Sequence, residues 1–259
     1  MVGLPPAIQA LWALIVIVQI IVCWFLFYKG HFRKLPFFTF YIVVHIAQSV
    51  LIYTLYHRLG SAAYGRSSLY WPLQLSVIFV RALAVVELCR QVLRPYPGVW
   101  VLTRRGFGIV SIAGLLFTAI EVKIDPAWAI AVANRGVNLT LLLCLLVFIV
   151  LNLEYYIPVH RSYAALIGGF CFYSLVVVMI ETFAPSISIT TYHAIILLCY
   201  ALVIIAWAAA LRRPLPPSPR VLSLSVRPAT PQSQPVRYGL RRVVCIFARI
   251  VLHRHIEPW

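Results

Sequence analysis

The sequence predicts an all-α polytopic membrane protein: a bundle of about seven transmembrane helices, then a Pro-rich linker and a short basic amphipathic segment. Three observations carry that expectation. Of 259 residues, 63% are hydrophobic and 11% charged, whereas about a quarter of a soluble domain is charged. Apolar runs recur between residues 8 and 211, several of them about 20 residues long, the length a helix needs to cross a hydrocarbon core of ~30 Å. Lys and Arg gather in alternate connections between those runs, the pattern of the positive-inside rule.

The expected spans cover residues 8–28, 37–56, 69–92, 106–120, 127–151, 163–180 and 191–211. No Lys or Arg precedes Lys29, and a cleaved signal peptide begins with a positive region, so the first run is expected to be a retained span. The fourth is the weakest, because residues 106–120 lie between Arg105 and Glu121 and are short for an untilted crossing. One membrane domain, residues 1–213, accounts for most of the chain.

Orientation follows from the connections. The first carries Lys29, Arg33 and Lys34, the third Arg94, Arg104 and Arg105, the fifth Arg161, and the tail nine arginines. The opposite set holds only Arg58, Arg66 and Lys123. The N-terminus is therefore expected outside and the C-terminus in the cytoplasm, which requires an odd number of spans. The location this implies is a plasma membrane of the bacterial inner type.

After Arg213 the composition turns to Pro, Ser and Gln, and residues 214–236 read as a disordered, partly extended linker. Apolar residues return over 237–259. On a helical wheel Leu240, Val243, Val244, Phe247 and Val251 share one side and Arg242, Arg249 and His253 the other. A basic amphipathic helix of this kind lies in the headgroup layer, so Arg241, Arg242 and Arg249 are expected to meet anionic lipid. Half of the net charge of +16 belongs to the tail beyond Leu211. The charge thus points to topology and lipid rather than to nucleic acid.

Ionisable groups inside a bilayer are costly and informative. Arg81 falls near the middle of the third span with no acidic neighbour on its own face, since Glu87, six residues on, is turned about 120° away. It must find acceptors on another helix or in water. Gln19, His45 and Gln48 come to similar depth, and His45 and Gln48 share a face, so Arg81, Gln19, His45 and Gln48 form one candidate cluster. Glu87 and Arg90, three apart, are expected to pair locally. Nearer the outside, Arg135 and Glu181 are expected to pair, with Asn134, Asn138, Tyr192 and His193 around them in a second cluster. The acceptor triplet Asn138-Leu139-Thr140 lies inside the fifth span, beyond a glycosyltransferase's reach.

No cofactor is expected. Haem would need two histidines at one depth, and His45 and His193 differ; retinal would need a lysine in a span, and Lys29, Lys34 and Lys123 lie in connections. The six cysteines show neither a disulfide nor a zinc spacing. The chain lacks nucleophile-elbow, metalloprotease, phosphate-loop and dinucleotide fingerprints, and its only aspartate is Asp125. The expected function is therefore non-enzymatic: a sensor or interaction protein working through a membrane-protein partner, with a small transporter or transporter subunit as the alternative.

Overall fold

The computed structural model describes residues 6–59, 70–124, 129–183, 188–213 and 215. Among them are seven α-helices and no strand: α1 Pro6–Tyr28, α2 Pro36–Leu59, α3 Tyr70–Leu93, α4 Pro97–Ile124, α5 Ala129–Glu154, α6 Arg161–Phe183 and α7 Ile189–Leu211. Local chemistry sets several ends. α1, α2 and α4 open on proline, whose fixed φ and missing N–H suit the first helical position. The Ser188 hydroxyl accepts from the Thr191 N–H to cap α7. α1 stops where Gly30 takes φ 66°, a left-handed C-terminal position that glycine adopts without a Cβ clash.

Six of the seven helices are long and apolar enough to cross a membrane, and they support a multi-pass membrane protein. The exception is α3, which carries Arg81, Glu87 and Arg90. The weakness expected of the fourth run is removed by where its helix begins. α4 starts at Pro97, upstream of Arg104 and Arg105, and its 28 residues extend ~42 Å at 1.5 Å per residue. The two arginines are exposed and lie on the helix rather than in the preceding loop, where long side chains can reach the headgroups.

Helices α1, α2, α3, α6 and α7 close a ring in which each packs on the next, and α5 packs across α6, with α4 on the outside of α5. Large apolar side chains also cover the periphery: Trp24, Phe79 and Ile109 are each more than 60% exposed. A helix bundle apolar on both sides is suited to lipid.

The α4–α5 contact is a close crossing of small residues. A Cβ on Gly114 would lie 1.9 Å from the Thr140 hydroxyl, and one on Gly136 would lie 2.0 Å from the Thr118 hydroxyl. Each threonine donates back to the glycine of its own helix, Thr118 to Gly114 O and Thr140 to Gly136 O. Backbones approach closely because neither glycine has a side chain, and the hydroxyls spend their hydrogen bonds within their own helices.

One end of the bundle is tied together by polar contacts. Lys29 donates to the carbonyl of Arg212, Lys34 to that of Leu215 at 3.1 Å, and Gln91 to that of Lys34 at 2.7 Å. The first places a lysine cation on the C-cap carbonyl of α7, where the helix dipole favours positive charge, and the second holds the chain just beyond it. Leu215, within the stretch read from sequence as a linker, is 4% exposed and held against the core. Residues 216–259 lie outside the described residues, and with them the amphipathic segment and Arg241, Arg242 and Arg249.

Candidate functional site

The interior of the ring is not uniformly apolar. Gln19, Gln48, Arg81, Asn138, Ser174 and Glu181 are buried on five different helices. Most of them belong to one polar tract, whose levels run from the end where α6 stops and α7 starts toward the lysine-tied end.

At the first level Glu181, near the end of α6, accepts from the Tyr192 hydroxyl at 2.6 Å and from Asn134 Nδ2 at 2.9 Å. Asn134 and Asn138 are one turn apart on α5, which stacks them on one face. Asn138 Nδ2 donates to the Asn134 carbonyl at 2.8 Å and to its Oδ1 at 3.1 Å. Asn138 Oδ1 in turn accepts from Arg81 Nη1 at 2.8 Å. Every amide in this series accepts on the Arg81 side and donates on the Glu181 side. Its dipoles therefore line up with the field between the guanidinium and the carboxylate.

Arg81 is 6% exposed. Its hydrogen-bond acceptor is the Asn138 amide oxygen rather than a carboxylate, and its guanidinium lies over the Tyr173 ring at 5.1 Å. A desolvated cation gains more from a π face than an exposed one does. The Tyr41 hydroxyl interacts with both Arg81 and Tyr200. Beyond it Gln19 Nε2 bonds Tyr200 at 2.9 Å and His45 Nδ1 at 3.0 Å, and the His45 ring stacks on Tyr200 at 4.7 Å.

Aromatic side chains close the far end. Phe38, Phe170 and Trp207 are 0–1% exposed. Their ring centroids lie 4.6–6.1 Å apart, and Tyr41 sits on the cluster at 5.5 Å from Phe170. Trp207 donates to the Leu166 carbonyl at 3.2 Å. It fits because position 169 is glycine: a Cβ there would lie 2.3 Å from the indole nitrogen. On α7 the order Tyr192, Tyr200, Trp207 follows the tract down, in steps of roughly 12 and 10 Å.

The two clusters expected from sequence are thus one. Arg81 joins Asn138, Asn134 and Glu181, and reaches Gln19 and His45 only through Tyr41 and Tyr200. Gln48 is buried, but no hydrogen bond connects it to Gln19, His45 or Arg81. Arg135 is half-buried beside Asn134, and His193 is exposed with its ring edge-on to Tyr192 at 5.3 Å.

The expected local pair of Glu87 and Arg90 gives way to a different contact. Glu87 reaches across to α2, where its oxygens accept from the backbone N–H groups of Phe37 at 3.2 Å and Phe38 at 2.8 Å. Those are free donors of the first turn of α2, and the preceding residue, Leu35, has no side-chain acceptor to offer. Arg90 is exposed and makes no ion pair with Glu87.

The sequence reading missed Tyr41, Tyr173, Tyr200 and Ser174. A signal was present for the first, since Tyr41, His45 and Gln48 follow helical spacing on α2. Comparison with protein-family models, with curated proteins and with solved structures finds no match to this chain.

Proposed function

We propose that this chain is a non-enzymatic membrane sensor or interaction protein whose input site is the Arg81 tract. The observation that carries this is the tract's one-sidedness. Polar groups descend from Glu181 to Gln19 and then meet the packed rings of Phe38, Phe170 and Trp207. A transport path needs polar groups or a gap on both sides of its binding level; a receptor site needs them on one.

The proposal includes seven crossings. α3 is long enough at 24 residues, and its charges are accommodated: Arg81 in the tract, Glu87 on the α2 terminus, and Arg90 near the lysine-tied end, where it can snorkel. That end gathers Lys29, Arg33, Lys34, Arg94, Arg161, Arg212 and Arg213, which supports a cytoplasmic assignment for it and an outside N-terminus, in a plasma membrane of the bacterial inner type. The tract then opens outward. Output passes through association: the contacts of Lys29 and Lys34 with the end of α7 couple the bundle to the basic tail, which meets anionic headgroups and a membrane-protein partner.

Crosslinking of the full chain in native membranes, with the co-purified proteins identified, tests this reading. A signalling partner captured by the full chain and lost on deletion of residues 237–259 supports it. A transport ATPase captured with or without the tail overturns it in favour of a transporter subunit.

A further inference from the structure

Arg81 is a buried cation whose hydrogen bond goes to a neutral amide. Its Nη1 is taken by Asn138, while its Nε has no partner. Two other buried side chains of the same interior also lack a partner: the Ser174 hydroxyl, next to Tyr173 on α6, and Gln19 Oε1. Burying a polar atom without a partner is unfavourable, and burying a charge without a counter-charge more so. The one acidic group of the tract, Glu181, is occupied by Asn134 and Tyr192 at the opposite end of the relay.

We infer that the Nε side of Arg81 binds a small carboxylate monoanion entering from the Glu181 end. The side of a guanidinium that includes Nε is the one a planar carboxylate engages with two parallel hydrogen bonds. Asn138 holds the opposite side of the group, and the Tyr173 ring fixes its plane. The anion would supply the missing acceptor and counter-charge together, which a water molecule does not. The aromatic floor of Phe38, Phe170 and Trp207 limits the ligand to a short one.

This inference rests on the reading of the tract as an input site, and it is tested by binding alone. The full chain, in detergent or nanodiscs, is unfolded thermally in formate, acetate or chloride, each exchanged against bulky gluconate at constant ionic strength. A saturable rise in Tm with formate or acetate, larger than that with chloride, is expected. Arg81→Gln abolishes it, and Arg104→Gln, at an exposed residue of α4 outside the tract, leaves it in place. Should Arg81→Gln fail to fold, Arg81→Lys keeps the charge without Nε and is expected to raise the half-saturating concentration about 10-fold.

An equal response to chloride, an unchanged response in Arg81→Lys, or no anion dependence at all overturns the inference. None of these results bears on partner capture by the tail, so the sensor reading can fail or survive separately.

Discussion

Arg81 and Glu181 are joined without touching. The amides of Asn138 and Asn134 stand between them in series, each accepting toward the guanidinium and donating toward the carboxylate. Four residues from three helices, α3, α5 and α6, thereby share one polarised chain. A direct ion pair would have neutralised both charges at one point; the relay spreads the interaction over two levels of the bundle.

Asn138→Leu should consequently destabilise the detergent-solubilised protein by about 3 kcal/mol, because it leaves the Arg81 charge buried without its acceptor. In an Arg81→Leu background the same change should cost far less. A double-mutant cycle on thermal unfolding reads the difference, and a coupling of about 1–3 kcal/mol is expected. Additive losses would mean that Asn138 and Arg81 do not depend on one another.

Glu87 ties α3 to the start of α2. Glu87→Gln keeps the shape but removes the charge that faces the α2 dipole, and should lower stability by about 1–2 kcal/mol. Arg90→Ala, at an exposed residue with no pair to lose, should stay within about 0.5 kcal/mol. Equal losses from the two changes would restore the local pairing that their spacing suggests.

The α4–α5 crossing gives a contrast between glycines that face a threonine and one that does not. Gly114→Ala and Gly136→Ala put a methyl into a threonine hydroxyl and should cost about 1–3 kcal/mol each. Gly108→Ala meets nothing within 4 Å, and should be neutral or stabilise by up to about 1 kcal/mol through helix propensity. Thermal unfolding of the three variants separates packing from propensity.

In the α1–α2 connection His31 is buried, and its pKa is lowered from the ordinary value first by burial and then by the charges of Lys34 and Lys29. The nearby backbone of Leu211 and Arg213 acts in the opposite direction without reversing it. The folded state thus disfavours the protonated ring. As pH falls through the unfolded value near 6.5, the unfolded chain takes up a proton that the fold resists, and stability declines. Unfolding midpoints of wild type and His31→Gln between pH 8 and about pH 5 should diverge in slope, with the variant flatter.

The apolar helices were legible in the sequence because run length responds directly to a bilayer. The helix ends were less so. Pro97 marks the start of α4, yet Arg104 and Arg105 interrupt the apolar run and conceal that the helix continues through them. Within the site, depth brought Arg81 level with Gln19 and His45, but depth does not give rotation, and rotation decides that Arg81 turns to Asn138. Glu87 illustrates the same limit: spacing alone finds the partner on its own helix, while the free N–H groups of Phe37 and Phe38 are visible only once α2 and α3 are packed.

The central claim, a polar tract open at the Glu181 end and closed by the aromatic floor, is tested most directly by two-sided thiol accessibility. Asn134→Cys and Arg212→Cys would be treated with a membrane-impermeant thiol reagent in sealed vesicles of each orientation, and labelling above the wild-type background measured. The expected result is modification of Asn134→Cys only from the side of the N-terminus and of Arg212→Cys only from the other side. Modification of Asn134→Cys from both sides would reveal a path past Phe38, Phe170 and Trp207, and would contradict the closed tract on which the sensor reading stands.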